Sequence, residues 1–254
     1  MYYTGIDIGS TAAKIAVFKD ENLQETFTLP TGWSSVETAM RIKEILEEKG
    51  INSEENKVVA TGYGRVAVPY ANKVVTEITC HGAGAKFIFD NEDMAVIDVG
   101  GQDTKIIEVE RGMINNFYMN DKCSAGTGRF LEVMANILGV DLKNLSLLAS
   151  NGAGVSISSM CTVFAESEVI SLIGAGTKKE DIAYGVINSV VNKVASMCSK
   201  VGENTDYYLT GGLCENDYFL QELSKKLKSP VKTSDKARYA GAIGAALLAK
   251  KIKR

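Results

Sequence analysis

The chain has 254 residues, 45% hydrophobic and 23% charged, enough for one large or two ordinary soluble domains. Its 28 basic residues stand against 31 acidic ones with no basic block, which excludes the electrostatic footprint of a nucleic-acid partner. No apolar run is long enough to cross a bilayer, and MYYTGIDIGS enters a strand pattern without a leader-like segment, so a cytoplasmic protein with no membrane partner is expected.

In chain order, residues 3–9 (YTGIDIG) read as a buried strand ending in a glycine turn, and residues 14–18 (KIAVF) as the returning strand of a hairpin, with a third strand expected to follow. Helical spacing then predicts a helix over Val36 to Lys49, a short strand over Lys57 to Ala60, and a helix over Thr79 to Phe89. At residues 94–100 (MAVIDVG) the pattern restarts, with residues 105–109 (KIIEV) as the returning strand. Helices follow over Gly128 to Leu138, Val163 to Ile173 and Ile182 to Lys200, then a strand over Asp206 to Thr210 and helices over Glu215 to Lys228 and Ala237 to Lys250. Asp7, Gly9, Lys14 and Ile15 recur at identical offsets as Asp98, Gly100, Lys105 and Ile106. Strands then helices, twice, indicate two α/β halves related by duplication: residues 1–91 and 92–254, the last helix being a candidate to cross back.

A glycine turn after a buried strand lets backbone N–H groups reach an anion, because no Cβ intervenes. In the first copy Gly9 makes the turn, Ser10 and Thr11 add hydroxyls, Lys14 adds charge, and Asp7 is placed to hold Mg²⁺ through water. In the second, Gly100 and Gly101 free the backbone, and Gln102 and Asp103 can orient a water or the metal. A third turn, Gly211-Gly212, follows a strand and precedes a helix, where adenosine can sit. The catalytic candidates are therefore Asp7, Gln102 and Asp103. The nucleotide-binding candidates are Gly9, Ser10, Thr11, Ala12, Ala13 and Lys14, then Asp98, Gly100, Gly101 and Gln102, then Gly211 and Gly212. A lone Asp-x-Gly-Ser turn is more often just a hairpin; two matched copies favour phosphate. Neither G-x-x-x-x-G-K-[ST] nor a strand-to-helix G-x-G-x-x-G occurs.

A single histidine, His81, leaves too few ligands for most zinc sites, and an odd total of five cysteines argues against a disulfide framework. Cys123 and Cys161 each precede a helical pattern, and a helix N-terminus favours the thiolate that binds metal. The plainer reading is two ordinary helix-start thiols. Two thiolates cannot complete the four-ligand set of an iron–sulfur cluster, but a two-fold dimer brings four to one axis.

The Asp-Ile-Gly-Ser-Thr and Asp-Val-Gly-Gly-Gln-Asp loops with the later Thr-Gly-Gly resemble the phosphate and adenosine motifs of the sugar kinase, heat-shock 70 and actin superfamily. The resemblance implies two ribonuclease-H-like halves, mixed sheets flanked by helices, closing on ATP. The strings NDKCSAGTGRFLEVMANILG, SSMCTVFAESEVISLIGAG, VATGYGR, EITCHGAGA and YAGAIGAALLA closely resemble the activators (component A) of 2-hydroxyacyl-CoA dehydratases, BadF/BadG/BcrA/BcrD-type ATPases, along essentially the whole chain. That family implies a homodimer with one [4Fe–4S] cluster held by Cys123 and Cys161 of each copy, ATP/ADP with Mg²⁺, and ATP hydrolysis coupled to electron transfer. It also implies a ferredoxin- or flavodoxin-type donor and an iron–sulfur dehydratase or reductase as acceptor. The alternatives are a double-cubane or benzoyl-CoA-reductase-type acceptor, a small-molecule kinase of the superfamily, or a nucleotide sensor without hydrolysis.

Overall fold

The computed structural model describes residues 1–158, 161–202 and 205–252. Its contacts divide the chain into two compact units, one of Met1–Asp93, Val109–Asn116 and Ser234–Arg254, the other of Met94–Glu108 and Phe117–Thr233. The units are thus interleaved in sequence, whereas the repeat alone suggests a single cut near residue 92.

In the first unit, β1 (Tyr2–Ile8), β2 (Ala12–Lys19) and β3 (Asn22–Pro30) form an antiparallel meander, followed by α1 (Ser35–Glu48), β4 (Asn56–Thr61), β5 (Lys73–Val74) and α2 (Glu77–Phe89). The sheet order is β3-β2-β1-β4-β5, with β4 parallel to β1 and β5 parallel to β4. The α1 helix starts where Ser34 Oγ accepts the Glu37 N–H at 3.2 Å, a side-chain cap for a backbone donor that has no partner within the helix. Ala39, Ile42 and Leu46, at helical spacing, then bury against Ile6, Ile8 and Ile15 of β1 and β2.

From β6 (Met94–Val99) the chain continues through β7 (Thr104–Glu110), β8 (Met113–Asn120), α3 (Gly128–Ile137), α4 (Leu142–Ala149), α5 (Thr162–Gly174), α6 (Lys179–Cys198), β9 (Tyr207–Gly211), α7 (Asp217–Leu227) and β10 (Val231–Lys232), all in the second unit except Val109–Asn116, the end of β7 and the first half of β8, which count with the first. Its sheet order is β10-β9-β6-β7-β8, with β9 parallel to both β6 and β10. Read from the opposite edge, this order repeats that of the first sheet strand for strand. The copies differ in the crossover between the third and fourth strands: α1 and a short 3-10 turn at Ser53–Glu55 join β3 to β4, whereas α3 to α6 join β8 to β9, and that longer crossover carries both Cys123 and Cys161.

The last helix, α8 (Ala240–Ala249), belongs to the first unit. Its sequence AGAIGAALLA is almost wholly buried: Ala242, Ile243 and Ala246 pack on Ala16 and Phe18, and Ala245 and Ala249 on Val59 and Cys80. Glycine makes this contact possible. A Cβ on Gly84 would overlap the Ala240 carbonyl, one on Gly244 the Cys80 carbonyl, and one on Gly5 the Ala242 carbonyl, so α2, α8 and β1 meet backbone to backbone. Overpacking of this kind costs about 1–3 kcal/mol or more. Gly84→Ala is therefore expected to lower the melting temperature by roughly 5 °C or more, or to prevent soluble folding. Gly174→Ala, whose added Cβ meets nothing, should change it by less than about 2 °C; equal melting of the two variants would contradict the packing account.

Candidate functional site

Each unit carries candidate site residues at the end of its central strand. Asp7, one residue from the end of β1, is 4% exposed and lies opposite Lys14 in the β1–β2 ladder, with Oδ2 3.8 Å from Lys14 Nζ. Between them Gly9 N–H donates to the Ala12 carbonyl at 3.1 Å, closing the turn. Thr31 straps it from outside, its N–H on the Thr11 carbonyl at 3.0 Å and its Oγ1 on the Gly9 carbonyl at 2.8 Å. Ser10 and Thr11 are left exposed, Ala13 is buried in the core and offers only its backbone, and the Lys14 side chain remains 18% exposed.

The second turn has the same frame, closed by Gly100 N–H on the Asp103 carbonyl at 2.9 Å. Its electrostatics differ. Lys105 is 3% exposed, with Nζ 2.7 Å from Asp103 Oδ2 and 3.5 Å from Asp98 Oδ2, so both carboxylates are held in an internal ion pair. Among the candidates on this turn, Gln102 is exposed and Gly100 and Gly101 are partly exposed, while Asp98 and Asp103 face inward.

The third turn is fastened to the second. Thr210 Oγ1 lies 3.4 Å from Asp98 Oδ1, and Gly212 N–H donates to the Val99 carbonyl at 3.0 Å. Gly211 has φ +80°, and a Cβ there would fall 2.5 Å from Asp98 Oδ1. The first sheet holds an equivalent that the motif reading did not assign. Thr61 is the β4 partner of Asp7 as Thr210 is the β9 partner of Asp98; Gly62 has φ +88°, and its Cβ would fall 2.6 Å from Asp7 Oδ1. The recurrence of Thr-Gly at the end of the fourth strand of each copy was the available signal. His81 also joins this set, with Nε2 4.0 Å from Asp7 Oδ2, and a Cβ on Gly241 would lie 2.7 Å from both atoms.

Cys161 is the N-cap residue of α5, as helix-start spacing predicts. Cys123 is not at a helix start: α3 begins at Gly128, and residues 121–127 form a turn. Gly126 at φ +87° breaks any helical path, while Asn120 Nδ2 donates to the Cys123 and Ala125 carbonyls at 2.9 and 2.8 Å. Ser159 and Met160, just before Cys161, lie outside the described residues. Cys123 and Cys161 are exposed, whereas Cys80, Cys198 and Cys214 are buried. The residues following the exposed pair are joined, with Ser124 Oγ 2.6 Å from Thr162 Oγ1. Two surface thiols held on adjoining segments fit half the donor set of a thiolate-bound cluster. Among the described residues no group of three or more His, Cys, Asp or Glu could hold a metal ion.

The sequence profile of the BadF/BadG/BcrA/BcrD ATPase family matches residues 4–249. The chain is 46% identical to the (R)-2-hydroxyglutaryl-CoA dehydratase activating ATPase of Acidaminococcus fermentans over 99% of this chain and 98% of that protein. The crystal structure of that component A superposes with a TM-score of 0.92, at 45% identity, covering 99% of this chain and 98% of the other. The activator of the 2-hydroxyisocaproyl-CoA dehydratase from Clostridium difficile with bound ADPNP superposes at 0.90, with 38% identity, covering 100% and 99%. A ROK family glucokinase from Streptomyces griseus, 15% identical with a TM-score of 0.62 over 99% and 100%, shares the fold. The expected α/β architecture of two mixed-sheet halves flanked by helices is thereby established.

Burial separates the thiols chemically. It pushes Cys80 and Cys198 from 9.0 up to about 12. A maleimide at neutral pH should label Cys123 and Cys161 in the native metal-free chain and reach the buried three only after denaturation; early labelling of Cys80 or Cys198 would contradict the burial. A thiol neutral when folded and ionised when unfolded contributes stability that is complete below pH 9.0 and is lost as pH rises toward about 12. Alkaline loss of melting temperature should accordingly be smaller in Cys198→Ala than in the wild type.

Proposed function

The chain belongs to the BadF/BadG/BcrA/BcrD ATPase family, and from that premise we propose that it is the ATP-hydrolysing activator of a 2-hydroxyacyl-CoA dehydratase. In this reading two copies share one [4Fe–4S] cluster and pass a low-potential electron to the dehydratase. One observation carries the electron-transfer part: the two exposed thiols are the two whose following residues, Ser124 and Thr162, bond each other at 2.6 Å. A sugar-kinase reading of the same fold gives this pair no role.

Phosphoryl transfer to water needs a phosphate cradle, charge neutralisation and a positioned nucleophile. The exposed Ser10 and Thr11 of the first turn and, separately, the Gly101 and Gln102 N–H groups of the second are the proposed phosphate donors, the Gly9 and Gly100 N–H groups being used to close their own turns, and the Gly211-Gly212 turn is the proposed place of the nucleoside. Lys14 neutralises phosphate charge, Asp7 holds Mg²⁺ through water, and exposed Gln102 orients the attacking water. Asp98 and Asp103 act through Lys105, keeping the second turn in shape. Cys123 and Cys161 would supply half the thiolate ligands of the cluster, and the same pair of the second copy would supply the rest. The cluster supplies a one-electron store. Hydrolysis can drive the transfer only if nucleotide contacts differ between two states of the segments bearing these cysteines.

Anaerobically purified protein should be brown, dimeric and carry about four irons per dimer, the content of one [4Fe–4S] cluster. Cys123→Ser and Cys161→Ser should each lose iron while keeping the fold; a colourless, iron-free wild type would sink the proposal. Gln102→Ala should lower the ATPase rate on the order of a hundredfold, the usual loss of a group that positions the reacting water, and Asp7→Ala should raise the Mg²⁺ requirement as well. Unchanged rates would remove both residues from the site.

A further inference from the structure

The start of α3 has an unusual set of acceptors. The first N–H groups of a helix lack partners within it and are commonly capped by a side chain. Thr127, the N-cap of α3, makes no such bond. Gly128 N–H instead donates to the Gly100 carbonyl and Arg129 N–H to the Gly101 carbonyl, both at 2.9 Å. The helix that follows the Cys123 turn is therefore fastened to the second glycine turn.

Peptide planarity gives this fastening a consequence. The Gly100 carbonyl and the Gly101 N–H belong to one rigid plane, as do the Gly101 carbonyl and the Gln102 N–H. An anion that draws on those two N–H groups rotates the planes, and the carbonyls holding α3 turn with them. A second bond runs in parallel. Thr104, 0% exposed and first in β7, donates from Oγ1 to the Gly126 carbonyl at 2.6 Å, at the φ +87° residue of the cysteine turn. Within that turn Thr127 Oγ1 donates to the Ser124 carbonyl at 2.7 Å, and Asn120 holds the Cys123 carbonyl. Ser124 Oγ then meets Thr162 Oγ1, beside Cys161. Within α5, the Glu168 carboxylate accepts from Ser158 N–H at 2.9 Å.

We infer that the second glycine turn and both exposed cysteines form one hydrogen-bonded assembly. Thr104 is the positioning residue that ties occupancy of the Gly101 and Gln102 N–H groups to the Cys123 turn, and the Ser124–Thr162 hydroxyl pair carries the shift to Cys161. This rests on the proposed roles of Gly101 and Gln102 in holding nucleotide, but the test can be read whether or not iron is bound.

In full-length, iron-free protein, maleimide labelling rates at Cys123 and Cys161 are followed by peptide mass spectrometry with no nucleotide, with Mg-ADP and with Mg-ADPNP. Wild type and Thr104→Ser, which keeps the hydroxyl, should show a nucleotide-dependent change at Cys123 of about threefold to tenfold, the equilibrium factor of one net hydrogen bond. Thr104→Val should reduce it below about twofold while still binding nucleotide, a result that general destabilisation would not give. Ser124→Ala should abolish the response at Cys161 and retain it at Cys123, which keeps the inference testable if Thr104→Val does not fold. A wild-type response preserved in Thr104→Val, or a nucleotide-bound wild type with no response, overturns it. In iron-loaded protein the rate of iron extraction by a chelator should follow the same order across variants. Absence of iron would instead refute the cluster proposal alone.

Discussion

A buried carboxylate near the end of each central strand is the constraint around which both sheets are arranged. Asp7 and Asp98 are 4% and 3% exposed, and an isolated charge at such depth costs several kcal/mol unless it is paired. The pairing comes from within each copy, Lys14 opposite Asp7 and Lys105 beside Asp98. Close approach on the remaining sides demands glycine: Gly62 and Gly241 around Asp7, and Gly211 against Asp98, at positions where a Cβ would strike carboxylate oxygen. The glycines at 62, 211 and 241 thus follow from two acids that must be reached by backbone.

The two copies use that frame differently. Lys14 keeps part of its side chain accessible, with Nζ 3.8 Å from its acid, whereas Lys105 is closed between two carboxylates. The first turn has a partly accessible cation beside its acid, whereas the cation of the second is enclosed and the carbonyls of Gly100 and Gly101 hold the start of α3. In the proposed function the first turn is accordingly the one that supplies positive charge, and the second supplies neutral N–H groups and an amide.

The duplicated Asp-x-Gly strings, the alternating strands and most helices were legible because each rests on local periodicity or turn chemistry. The acid-base pairing of Asp103 was not: whether Lys105 serves a ligand or a neighbour depends on its burial, which spacing does not encode. Cys123 was misplaced onto a helix start because the left-handed φ of Gly126 and the Asn120 side chain, rather than any apolar pattern, decide that stretch. The α4 helix went unread since its eight residues bury only Leu145 and Ala149, too little periodicity to stand out. The interleaving of the units was legible only as a candidate crossing by the last helix, because glycine contacts such as Gly84 against Ala240 appear in no single segment.

The placement of α8 bears on how the chain acquires its structure during synthesis. The first unit's sheet is complete by β5, yet Ala16, Phe18 and Val59 are covered by residues 242–249. The face they form waits for the entire second unit to be translated. The part of the protein made first is consequently the last to close, and a chain stalled or clipped before residue 240 would leave an apolar sheet face bare, a ready target for chaperones and proteases.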